Sequence, residues 1–126
     1  MQLEEDPDMA TLLLCDLAPR DRYWDECRNG LGIAHLLVKE DRSEALIATA
    51  CRSAVENACR ACVLEAGGGT FDGDVNGALR LLGAPPEVCL PTGPLEAPEC
   101  LRAAESVIGW LADFLKSEAP GRSWGY

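Results

Sequence analysis

SEALIATACRSAVENACRACVLEA, residues 43–66, runs directly into Gly67-Gly68-Gly69. Small apolar residues recur at Ile47, Cys51, Ala54, Ala58 and Cys62, in steps of four, three, four and four. That rhythm marks one face of an α-helix. Val55 and Cys59 widen the stripe. Ser43 is a good N-cap, because its hydroxyl accepts from a backbone N–H that the first turn leaves without a partner. The triple glycine ends the helix, since nothing on a glycine resists the left-handed turn that closes it. The opposite side carries Arg52, Glu56 and Arg60 at i, i+4 and i+8. Such a row can lace itself with ion pairs, each adding roughly 0.2–0.5 kcal/mol. The rest of the chain reads as cover for this helix.

Upstream, Pro19 suits the first turn of another long helix, about residues 19–39, with Asp21 near its positive end. Its apolar face is Trp24, Cys27, Leu31, Ala34 and Val38, a three-four alternation. Gly30 and Gly32 each cost up to ~1 kcal/mol inside a helix. Their presence suggests a kink, or a neighbouring helix that comes close. Glu40-Asp41-Arg42 is a short turn, so the two long helices are expected to form an antiparallel hairpin. Before them lie an acidic lead, MQLEEDPD, and a short apolar helix over residues 9–17 that contains Leu12, Leu13 and Leu14.

Downstream, Thr70 or Asp72 is expected to cap a short helix over residues 74–82, stopped by Gly83-Ala84-Pro85-Pro86. Prolines at 85, 86, 91, 94 and 98 make the following stretch an irregular crossing. A last helix over about residues 98–117 has the apolar set Leu101, Ala104, Val107, Ile108, Leu111 and Leu115, widened by Trp110 and Phe114. The tail GRSWGY is expected to be loose. At 126 residues the chain reads as one all-α domain, residues 19–117. Its expected architecture is an antiparallel bundle of four main helices with a short extra N-terminal helix.

The net charge is −10, and its distribution narrows the functional classes. Residues 1–18 carry five acids and no Lys or Arg, and no Lys/Arg block exists anywhere. This counts against general nucleic-acid affinity, which rests on cations that neutralise phosphates. Acidity at this level keeps a protein soluble. No apolar run approaches the ~18 residues of a membrane span. The seven cysteines, at 15, 27, 51, 59, 62, 89 and 100, are odd in number, and five sit in apolar helical patterns. There a reduced thiol behaves as a small hydrophobe. The acidic start is the opposite of a signal peptide, so a cytoplasmic protein with free thiols is expected.

The second long helix resembles the HEPN family of small helical bundles. The stretch that carries the likeness runs Ala54-Val55-Glu56-Asn57-Ala58-Cys59-Arg60-Ala61-Cys62, with Gly67 beyond it. The family tends to show a small residue, then Glu, then a basic residue four on, then small residues and a glycine. Trp24 near the start of the first helix and Ala34-His35-Leu36-Leu37 near its end resemble the family too, so the likeness spans residues 23–116. It implies a homodimer formed through the bundle. It also implies either an RNA-cleaving Arg/His pair in the C-terminal half, or a binding role beside a small nucleotidyltransferase or with a nucleotide. This chain departs from the nuclease pattern. Arg102 is followed by no His, and Thr70-Phe71-Asp72 stands where a His often follows the glycine turn.

Two candidate sites remain. Arg52, Glu56, Asn57 and Arg60 form the best polar cluster, either a groove for a nucleotide or acidic group, or a solvated ion-paired face. Arg28 and His35, the only histidine, lie seven residues apart on the first helix. That is close to two turns, one face, and suits an Arg that steadies phosphate and a His that moves a proton. A lone His beside an apolar stripe is more often a packing residue, and the packing reading outweighs the catalytic one. Cys59 and Cys62 have CxxC spacing but no second pair for zinc. The glycines lack the Lys and strand of a phosphate loop. No metal or cofactor is expected. The leading expectation is a HEPN-like protein- or nucleotide-binding module. A ribonuclease with a displaced Arg28/His35 site and a purely structural dimerisation subunit are the alternatives.

Overall fold

A computed structural model describes residues 19–67, 69–91, 96–119 and 124. The acidic lead and the short helix expected over residues 9–17 lie outside the described residues. Within them the chain is all-helical, with no strand and four helices. These are α1 (Pro19–Lys39), α2 (Glu44–Glu65), α3 (Val75–Leu81) and α4 (Ala97–Glu118).

α2 is the centre, and it packs against each of the other three. The Ser43 hydroxyl caps it by accepting from Ala45 N at 3.2 Å. All seven positions of the expected stripe are buried, and so are Ala61 and Val63. The buried arc is wider than the stripe because α1 and α4 both cover the helix. α1 buries Trp24, Cys27, Leu31 and Ala34, while Val38 is half-buried. Between α1 and α2, Asp41 takes a left-handed conformation (φ 54). Arg42 N reaches Leu37 O and Asp41 N reaches Val38 O, which satisfies carbonyls the helix end leaves open. The first turn of α1 then lies beside the last turn of α2, where Arg20 Nη1 meets Glu65 Oε1 at 2.6 Å.

The two glycines of α1 do different things. A Cβ on Gly30 would stand 3.3 Å from Ala54 Cβ, so Gly30 is the point of close approach to α2. Gly32 has open space and faces solvent.

α2 ends at Ala66, and Gly67 takes the left-handed conformation (φ 72). The cap of α3 is Asp74, not Thr70 or Asp72: its Oδ1 accepts from Gly77 N at 3.0 Å. Asp72 Oδ1 accepts from Asp74 N instead, which orients the cap. The helix starts at Val75 because Val75, Ala78 and Leu79 are the side chains that reach the core. α3 in turn orders the proline-rich connection. The Asn76 amide pairs with both the N–H and the C=O of Leu90, at 2.8 and 3.0 Å. Arg80 Nη2 donates to Pro85 O at 2.9 Å and also to Val88 O.

α4 begins with a capping arrangement in which Glu99 Oε1 accepts from Glu96 N at 3.2 Å. It buries the six expected residues together with Ala97 and Ala112. Trp110 and Phe114 stack at the core edge, with centroids 5.9 Å apart. The expected loose tail does not hold at Trp124, which is 1% exposed. Its ring meets Trp24 edge-to-face at 5.8 Å, Arg20 lies 5.0 Å over it, and its Nε1 donates to Ala119 O at 2.8 Å. A tryptophan supplies more apolar area than any other side chain, and that burial opposes the freedom of a terminus. Trp24 Nε1 has no hydrogen-bond partner among the described residues. That costs about 1–3 kcal/mol, which the burial of the rings must exceed. The core of described residues contains no buried polar or charged residue. No helix among them is long and apolar enough to cross a membrane.

Urea unfolding checks two features. Gly32→Ala should stabilise the fold by ~0.5–1 kcal/mol by removing backbone freedom, whereas Gly30→Leu should destabilise it by ~1–3 kcal/mol by forcing α1 off α2. Trp124→Ala should cost ~3 kcal/mol if the tail ring belongs to the core, and close to nothing if it does not.

Candidate functional site

The polar face of α2 divides into two unequal parts. Near its middle, Arg52 Nη1 lies 3.8 Å from Glu56 Oε2, with Arg52 more than half exposed. Such a pair contributes little, because water screens both charges. One turn on, Arg60 does not continue the row. Its Nη1 donates to Asn57 Oδ1 at 3.0 Å. Its guanidinium lies 5.9 Å over the Tyr23 ring and 5.5 Å over the Phe71 ring. The four residues singled out from the sequence are therefore two pairs, Arg52 with Glu56 and Asn57 with Arg60.

Local sequence explains why Arg60 turns. Tyr23 precedes the buried Trp24 on α1, and that register sets Tyr23 on the flank of α1 that Arg60 reaches. Gly67 and Gly69, both left-handed, turn the chain back after α2 and return Phe71 to the same place. An Arg side chain stacks well on aromatic faces because its charge is delocalised and weakly hydrated. Among the described residues no carboxylate stands within 4.0 Å of Arg60. Arg20, Arg28, Arg42, Arg52 and Lys116 each have one. The Arg20 guanidinium is held still more firmly in its charged form, chiefly by the hydrogen bond to Glu65.

A cleft of about 160 Å³ opens beside Arg60, with Pro19, Tyr23, Leu64, Thr70 and Phe71 among its walls. Two further clefts adjoin it. One, of about 270 Å³, shares Thr70 and Phe71 and is lined also by Asp72 and Asp74. The other, of about 220 Å³, shares Pro19 and Leu64 and reaches Arg20 and Glu65. All three lie at the end of the molecule where α1 begins and α2 stops.

Arg28 and His35 engage different partners. Arg28 Nη2 is 3.8 Å from Asp25 Oδ1 on its own helix. His35 Nε2 is 2.8 Å from Glu105 Oε2 on α4. The His–carboxylate contact joins two helices at the surface, with the imidazole about half exposed.

Cys59 and Cys62 face the core with Cys27 and Cys51. Burial pushes the thiols of Cys27 and Cys59 up to about 12 and that of Cys51 up to about 11, and raises Cys62 as well. Cys62 Sγ also approaches Leu111 O at 3.6 Å as a weak donor. These are inert packing groups, since the thiolate is the reactive form. Among the described residues no group of three or more His, Cys, Asp or Glu side chains could hold a metal ion.

Compared with known protein families, curated proteins and solved structures, the chain matches none. The sequence singles out Arg60 and Asn57 but not Tyr23, Phe71 and Thr70, which the structure brings to the same cleft as Arg60. The available signal was an aromatic two residues after a glycine turn, together with an aromatic beside a core tryptophan. Neither says which side chain it will meet.

The thiols give a pH test. A thiol raised above its ordinary value of 9.0 favours the folded state fully below that value, and the contribution is lost as pH rises towards the folded value. Stability in urea should therefore fall between pH 9 and about 12, in the range where Cys27, Cys51 and Cys59 ionise. With Cys15→Ser in place, DTNB at pH 8 should find Cys89 in the native protein and the thiols of Cys27, Cys51, Cys59 and Cys62 only after denaturation.

Proposed function

We propose that this chain is a HEPN-like binding module, an antiparallel four-helix bundle that pairs as a homodimer and does not cut RNA. The observation that carries the binding role is Arg60, a partly buried guanidinium set against Tyr23 and Phe71 beside a cleft and lacking a carboxylate partner among the described residues. A cation arranged this way is a seat for an anion, from a nucleotide or from an acidic group on a partner.

Other features support the remaining parts of the reading. The Arg20–Glu65 contact between the start of α1 and the end of α2, with Gly30 against Ala54 midway, favours the antiparallel hairpin. Ile33 and Leu36 on α1 and Leu46 on α2 are each more than half exposed, and such residues favour a second copy as partner. The buried thiols of Cys27, Cys51, Cys59 and Cys62 favour the cytoplasm. The separate partners of Arg28 and His35 weigh against the displaced nuclease site.

Three measurements on the purified protein test this. Single-stranded RNA should stay intact, and His35→Ala should change nothing. Cleavage that His35→Ala abolishes would sink the binding reading in favour of the enzyme. Light scattering should give a dimer, and Leu36→Glu should shift it towards monomer. A panel of small organic anions, carboxylates and mononucleotides together, should include at least one that raises the melting temperature, and Arg60→Gln should remove that rise while Arg52→Gln keeps it. A dimer that neither cleaves RNA nor responds to any of these anions would leave only the dimerisation subunit.

A further inference from the structure

We propose that the Arg60 cleft receives a small molecule carrying one carboxylate on a flat apolar body. This rests on the reading of Arg60 as a ligand group and names the class of ligand. Four observations converge on it. Arg60 is half-buried, and the one hydrogen bond it makes within the described residues goes to the neutral Asn57 amide. The Tyr23 and Phe71 contacts engage its charge without using its N–H donors. A guanidinium presents donors in a fork that matches the two oxygens of a carboxylate.

The walls decide the body of the ligand. Tyr23, Leu64, Phe71 and Pro19 offer ring faces and apolar edges, and Thr70 supplies one hydroxyl at the rim. At about 160 Å³ the cleft is near half the lower end, ~300 Å³, of pockets that enclose drug-sized ligands. A single ring bearing an acid group suits that size, and a whole nucleotide does not.

The surrounding charge decides the anion. Asp72 and Asp74 line the adjoining cleft, whereas Glu56 and Glu65 on the same helix as Arg60 are paired with Arg52 and Arg20. Arg20, the nearest other cation along the clefts, is already committed to Asp21 and Glu65. One positive charge beside the Asp72 and Asp74 carboxylates accepts a single negative charge. It repels a phosphate dianion or a polyphosphate, the more so in a chain of net charge −10.

Phenylacetate is the probe, with phenylacetamide as its neutral counterpart and inorganic phosphate and AMP as competing anions. Binding to the full-length chain is followed by the side-chain N–H resonance of Arg60 and by thermal shift. About ten heavy atoms in a shallow cleft correspond to a Kd on the order of 1 mM. We expect saturable binding of phenylacetate, and at least ~10-fold weaker binding of the amide, because loss of a charge-assisted pair costs at least that factor. Arg60→Gln should weaken phenylacetate at least ~10-fold, and Arg60→Lys should fall in between, keeping the charge but losing the fork. Arg102→Gln, on exposed α4 surface, should change nothing. Equal binding of acid and amide would overturn the proposal without need of any variant, as would undiminished binding to folded Arg60→Gln. Phosphate or AMP binding through Arg60 more tightly than phenylacetate would also overturn it, yet leave the binding-module reading intact. RNA cleavage that depends on His35 would do the reverse.

Discussion

A helix faced with alanine and cysteine can be buried only if its neighbours come close. Short side chains reach little beyond their own backbone, so a normal interhelical distance would leave voids along α2. The chain meets this by placing Gly30 on α1 opposite Ala54. Along α4 the larger Val107, Ile108, Leu111 and Leu115 fill the space from the other side. Small residues meet glycine on one flank and branched residues on the other. That complementarity makes α2 the shared wall of both contacts.

The ends of the structure follow from the same centre. Once α2 is enclosed, its last turn must hand the chain over without breaking the packing. Gly67 and Gly69 do so in left-handed conformations that residues with side chains rarely adopt. The return path brings Phe71 against Arg60 and Asp74 into position to cap α3. α3 is too short to hold itself and is anchored by Val75, Ala78 and Leu79. Its polar side then fixes the proline-rich loop through Asn76 and Arg80. The Trp24–Trp124 contact adds a second anchor beside Arg20, so the tail, the start of α1 and the end of α2 meet in one region.

That region also holds the groups best suited to binding. A ligand there would complete a charge compensation that the fold leaves unfinished. Among the described residues Arg20, Arg28, Arg42, Arg52 and Lys116 are matched by nearby carboxylates. Arg60 is matched by rings and an amide instead. By contrast the His35–Glu105 contact lies at the surface, and the buried thiols are held protonated by their surroundings.

Periodicity alone determined the helices, the stripe on α2, the core faces of α1 and α4, and the placing of the Ser43 cap. Each of these depends on residues within a few positions of one another. The Arg52-Glu56-Arg60 row was legible as a spacing but not as an outcome, because i,i+4 proximity permits an ion pair without requiring one. Only the tertiary structure decided that Arg60 turns to Tyr23 and Phe71, residues 37 positions before it and 11 after. It also decided that Gly30 rather than Gly32 is the close contact, that Asp74 is the cap of α3, and that Trp124 is core. The physical reason is common to all four. Each depends on which surfaces meet when α1, α3 and the tail fold onto α2, and pairing between distant segments leaves no periodic trace in the sequence of either one.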